Sequence, residues 1–179
     1  MAKERKDYFT EFNEKKHFRS KVDWNKVKKL KDEDFIWEIL EPISIMIRDL
    51  DHEEERVKRL SPGQKALHFF WYLDAQVTNG GFIQFYFNGY EAYLPSLKKG
   101  LEVIGYKKLL SVVTKSEELY DKHIKEFKGR RTAKLLSSLY SKLPEFGKLD
   151  DWYYSNEKEH YAFFDKYIRK NIDDFIVRK

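Results

Sequence analysis

A chain of 179 residues has the length of one domain, and its 41% hydrophobic and 17% aromatic content supplies enough apolar surface to offset chain entropy, which excludes a disordered chain. The absence of cysteine excludes a disulfide framework, a thiolate metal site and a cysteine nucleophile. The net charge of +5 is unevenly placed: residues 1–30 hold ten Lys/Arg against five Asp/Glu, and residues 31–179 hold 25 of each, so the body is neutral and the N-terminal part is basic.

The first 30 residues show no apolar period beyond aromatics such as Tyr8, Phe9, Phe12 and Phe18, and read as a basic N-terminal appendage, a loosely attached segment or short helix. Residues 31–179 read as an all-helical domain. Its first helix is marked by Phe35, Ile36, Ile39, Leu40, Ile43, Ile47 and Leu50 on one face, with Asp32 or Asp34 as N-cap. The charged run His52 to Leu60 reads as a solvated connection. Ser61-Pro62-Gly63-Gln64 spells a helix start, with Ser61 as N-cap, Pro62 in the first turn and Gln64 closing a capping box. From Pro62 to about Thr78, apolar positions cover more than half the helix circumference, as in a helix buried among others.

After this helix comes TNGGFIQFYFNGY, Thr78 to Tyr90, with two Asn-Gly steps around an apolar run. Asn-Gly beside alternating apolar residues is a hairpin signal. The partner strand would have to come from Asp74, Ala75 and Gln76, which fit strands poorly and complete the preceding helical period. The preferred reading is a helix-kink-helix: Asn79 and Gly80 end one helix in a left-handed cap, Gly81 starts a short one, and Asn88-Gly89 ends it. Phe82, Phe85 and Tyr86 then face inward, while Ile83, Gln84 and Phe87 point away.

Further helices are marked by Tyr93 to Ile104 with Gly105 as C-cap, by Leu109 to Phe127 ended at Gly129, by Ala133 to Leu143 stopped before Pro144, and by Asn156 to Ile176. No other stretch alternates as a strand. The fold class is all-α, a single compact multi-helix domain.

The run LDAQVTNGGFIQFYFNG, with the later LEVIGYKKLL, resembles the pattern of the bacterial family named for a DNA-mimic protein, whose C-terminal domain was long catalogued as a domain of unknown function. The residues that carry the likeness are Asn79, Gly80, Gly81, Phe82, Gln84, Phe85, Phe87, Asn88, Ile104 and Gly105; the likeness extends over about residues 60–175. It implies an all-α fold and, for the named member, a carboxylate-rich surface that imitates DNA phosphates. A neutral body with a basic N-terminal part departs from that requirement, so DNA mimicry is not expected of this chain. What remains is a non-enzymatic protein-binding or regulatory module of a bacterial cell, toxin neutralisation being one form of it.

Chemistry was sought elsewhere in the chain. Glu14 with His17 and Glu157 with His160 have the Glu-x-x-His spacing of di-iron bundles, but such spacing arises easily in a glutamate-rich chain, and no metal or cofactor is expected. There is no G-x-S-x-G, H-E-x-x-H or glycine-rich phosphate loop. His68 beside Asp74 is the candidate base of an alternative reading, a small enzyme with a site near His68 and Asn79 to Asn88, although a core histidine is the commoner role on so apolar a helix. Asp150-Asp151 before an aromatic run reads as a helix N-cap. Nucleic-acid binding through the basic cations and rings of residues 1–30 is the second alternative, and five interspersed carboxylates weaken it. The candidate binding residues are Asn79, Gly80, Gly81, Phe82, Ile83, Gln84, Phe85, Phe87 and Asn88, and the expected partner is another protein. No apolar leader opens the chain and no run approaches the roughly 20 apolar residues of a membrane span, so a cytoplasmic location is expected.

Overall fold

The computed structural model describes residues 5–9, 11–48 and 52–178. Leu50, read above on the face of the first helix, lies outside the described residues. Among the described residues there are ten helices and two short strands: β1 (Ser20–Val22), α1 (Trp24–Val27), α2 (Asp32–Ile47), α3 (Glu53–Val57), α4 (Pro62–Phe87), α5 (Leu94–Ile104), α6 (Lys107–His123), α7 (Ala133–Lys142), α8 (Gly147–Ser155), α9 (Glu157–Lys170), α10 (Ile172–Phe175) and β2 (Ile176–Arg178). The all-α reading is correct.

The fold is organised around α4, which packs along α5 and touches α2, α7, α8 and α10, while α2 lies against α9. The local start signal works as read: the Gln64 amide donates to Ser61 Oγ at 3.4 Å, and the Ser61 amide donates to Gln64 Oε1 at 2.9 Å. Two of the four orphan amides of a helix start are thereby satisfied. The apolar circumference of α4 is buried on all sides, with Leu67, Phe69, Phe70, Leu73 and Val77 inside one continuous core. Phe70 stacks on Phe164 of α9 with centroids 4.3 Å apart. Gly105 ends α5 in the left-handed region at φ 78°, as its position after Ile104 foretold.

Three local readings need correction. Lys31, not Asp32 or Asp34, is the N-cap of α2, so both carboxylates sit in the first helical turn, where the helix dipole favours negative charge. The run after His52 forms α3, and Glu53 within it is buried, accepting hydrogen bonds from the hydroxyls of Tyr72 and Tyr93, each at 2.9 Å. The final helical pattern is interrupted between α9 and α10.

The larger difference concerns the N-terminal residues. Where a loosely attached segment was expected, Tyr8, Val22 and Val27 are buried in the core. The backbone of this segment is tied down at several points: Lys6 N–H to Ala92 O, Asn13 N–H to Lys58 O and Phe18 N–H to Arg59 O. Tyr8 stacks on Phe69 with an interplanar angle of 1°. β1 pairs in parallel with β2, Ser20 opposite Ile176 and Val22 opposite Arg178. A three-residue strand is too short to declare itself by alternation, and the partners of these contacts lie far away in sequence, so no local pattern announces them.

Candidate functional site

The candidate residues from Asn79 to Asn88 form a bend inside α4. Gly80 has φ −170° and ψ 31°, and Gly81 has φ 70° and ψ −177°. The left-handed value therefore falls on Gly81, not on Gly80 as the sequence suggested. With ψ near 180° this is a region essentially closed to residues with a side chain. A Cβ at Gly81 would also lie 2.4 Å from Asp150 Oδ2. Gly89 at φ 83° and Asn88 as C-cap end the second half, as read.

A bend breaks the helical ladder, and the freed backbone groups must find partners because buried ones cost 1–3 kcal/mol or so each when left alone. Three side chains from the following helices provide them. Asp150 of α8 accepts from the Phe82 amide at 2.8 Å, Tyr140 of α7 donates to Gly80 O at 2.5 Å, and Tyr154 of α8 donates to Val77 O at 2.8 Å. Asp150 is thus a cap, but for the second half of α4 instead of its own helix. Burial pushes its carboxyl above the usual aspartate range, and the Phe82 hydrogen bond partly offsets that.

The side chains of the bend are mostly enclosed. Phe82, Phe85 and Tyr86 face inward as expected, but Ile83 is also buried, so the outward apolar group of Ile83, Gln84 and Phe87 does not exist as read. The physical reason is that α4 is surrounded by α5, α7 and α8 and has little free side. Gln84 and Phe87 are half-buried, Asn79 is exposed, and the exposed Asn88 donates to Gln76 Oε1 at 2.6 Å across the bend. Tyr86 stacks on Tyr120 at 4.3 Å and shares a 2.8 Å hydrogen bond with Ser116.

His68 and Asp74 do not form a catalytic pair. Both ring nitrogens of His68 are buried without a hydrogen-bond partner, its ring lies edge-on to Phe69 and Tyr72, and burial pushes its pKa down to about 3. Asp74 is buried with its two oxygens taken by the hydroxyls of Tyr153 at 2.7 Å and Tyr161 at 2.8 Å. A base needs an oriented partner and access to a substrate, and this pair has neither. His160 gives Nδ1 to a 2.7 Å hydrogen bond with Tyr106, and His17 Nε2 lies 3.1 Å from Gln64 Oε1. No group of three or more metal-ligating side chains gathers among the described residues.

Several rings and cations of the N-terminal segment are engaged internally, while Phe12, Lys15, Lys16, Lys21 and Lys29 are exposed. Arg5 pairs with Glu117 and Asp121 of α6, both at 2.6 Å, Arg59 lies over Phe18, and Arg178 over Trp24. Phe18 and Trp24, so covered, are not free platforms for nucleobases.

An open surface is found instead on α2, which the sequence reading treated only as a core element. Its outer side carries Glu33, Asp34, Glu38 and Glu41, all exposed, Asp32 lies beside Asp165 at the start of the helix, and no Lys or Arg occurs anywhere in the helix. Trp37 is 41% exposed and Ile45 54% exposed on the same side. The signal was legible: in DEDFIWEILEPISIMI every charge is negative.

Fold and surface together define a small all-helical module with a closed aromatic core, a side-chain-capped helix bend and one acidic helix face bearing apolar residues. The model of the family described as DMP19-like protein matches residues 58–171. Among curated proteins, the chain is 30% identical over 125 residues to the DNA mimic protein DMP19 of Neisseria meningitidis serogroup B, an alignment covering 68% of this chain and 76% of that protein. The chain belongs to the DMP19-like family. No helix among the described residues is long and apolar enough to cross a membrane.

Proposed function

We propose that the chain is a protein-binding regulatory module that works by contact alone, and that its contact face is the outer side of α2. One observation carries this: four exposed carboxylates, Glu33, Asp34, Glu38 and Glu41, without a cation on the same helix, set around Trp37 and Ile45. Interfaces that combine large apolar anchors with charge of one sign gain affinity from the first and partner choice from the second. The complementary partner is a protein with a basic working surface, such as a DNA-binding protein or a toxin. The relative named a DNA mimic supports the first of these by analogy. Here, however, the acidic residues occupy one helix of a chain whose sum is +5, so contact with a single basic patch is the form proposed, not imitation of a whole duplex.

Immobilised wild-type protein and Glu38→Lys/Glu41→Lys, exposed to extract of the source cell, test this directly. A basic protein held by the wild type and lost from the equally folded variant is the expected result. Identical captured proteins on both surfaces, or none on either, would overturn it.

A further inference from the structure

Between α2, α4 and α9 lies a groove of about 250 Å³. Its walls include Trp37 and Trp71, whose rings are 5.2 Å apart and tilted by 54°. Glu33 and Asp34 stand at its rim, and neither has an ion-pair partner among the described residues. Tyr161 lines it and donates its hydroxyl to the buried Asp74 behind it. Burial is the main cause of the raised pKa of both Asp74 and Tyr161, and the nearby charge of Glu33 adds a small part.

We infer that this groove takes the side chain of an arginine presented by a partner protein. The inference rests on the reading of α2 as the contact face. Two tilted indoles offer negative ring faces to a cation, and the two free carboxylates supply the charge that the rings alone do not. The groove is smaller than the roughly 300–1,000 Å³ of pockets that enclose whole small molecules, and it suits one long side chain. Guanidinium is favoured over ammonium because it is planar, stacks on aromatic faces, pairs with a carboxylate through two N–H groups and sheds water more readily.

The test uses the full chain labelled with ¹⁵N and three capped peptides, Gly-Arg-Gly, Gly-Lys-Gly and Gly-citrulline-Gly. The four tryptophans give four indole N–H signals, with those of Trp37 and Trp71 assigned through Trp37→Phe and Trp71→Phe. Saturable movement of these two signals by the arginine peptide is expected, with Trp24 and Trp152 unmoved. Citrulline, which keeps the shape without the charge, should bind about tenfold or more weakly, and Glu33→Gln/Asp34→Asn should weaken the arginine peptide several-fold. Equal binding of citrulline, equal binding of lysine, equal movement of all four indoles, or no movement at millimolar peptide would each overturn the inference. The capture assay separates it from the α2 reading. If Glu38→Lys/Glu41→Lys loses the partner while Trp37→Ala keeps it at full affinity, the arginine site falls and the contact face stands. If the arginine peptide binds at the two indoles while both variants capture as wild type, the contact face falls and the guanidinium preference stands.

Discussion

The bend of α4 and the outer side of α2 are built in opposite ways. The bend holds the residues on which the family resemblance rests, and its glycines, carbonyls and amides are met by Asp150, Tyr140 and Tyr154 until little of it is open. The α2 face holds no motif, and its carboxylates, Trp37 and Ile45 stand in solvent. The motif is constrained by backbone geometry, while the face proposed for partner contact lies on an ordinary amphipathic helix. The two regions should answer mutation differently.

The largest effect is expected at the bend. Gly81→Ala places a Cβ in a disfavoured backbone region and against the Asp150 carboxylate, and should cost roughly 3 kcal/mol or more by chemical denaturation. A loss below about 1 kcal/mol would mean that the bend tolerates side chains and is not the constraint described.

Next comes the acid sensitivity of the core. The folded-state pKa of His68 lies near 3, below the 6.5 of the unfolded chain, so the unfolded state takes up the proton first. Stability from this group is complete above pH 6.5 and is lost as pH falls towards 3, at up to about 1.4 kcal/mol per pH unit. His68→Phe should flatten that slope; denaturation midpoints from pH 7 to 4 measure it. An unchanged slope would show that His68 is not held neutral.

Asp150→Ala removes the acceptor for the Phe82 amide and should cost about 1 kcal/mol, the usual worth of a helix cap, with Asp150→Asn recovering most of it. A neutral result would assign the bend to the two tyrosines alone. The smallest expected effect is on α2: Glu38→Lys/Glu41→Lys should change stability by no more than about 0.5 kcal/mol, as exposed substitutions do. A large loss there would blur the contrast between the regions, because it would make the acidic face structural.

What the sequence disclosed follows the same division between near and distant partners. The Ser61 capping box, the Gly105 cap and the break at Gly80-Gly81 depend on residues within a few positions of one another, and each is where its pattern placed it. The positive φ falls one glycine later than read because either glycine permits it, and the partners of the bend, Asp150 and Tyr140, lie far away in sequence. Burial of Ile83 depends on how completely neighbouring helices surround α4, and no period within a seven-residue helix carries that information. The docked N-terminal segment escaped for the same reason: Tyr8 reads as one aromatic among lysines until Phe69 is brought beneath it. The acidic side of α2 is present in the sequence but does not show in the net charge, since a neutral body can hold a strongly charged helix.

The short ladder of β1 and β2 has a mechanical meaning. Residues 20–22 and 176–178 are joined side by side, so tension applied at one end of this span passes to the other through three paired residues, with Val22 and Ile176 anchored in the core. Parallel strands loaded along their length in this way share the force as a shear, and the ladder acts as a buckle for the helical body within it. Trimming residues 176–178 would free the paired edge of β1, so that a cut at one place is felt at a place 150 or so residues away in sequence, while the ties of Lys6, Asn13 and Phe18 remain.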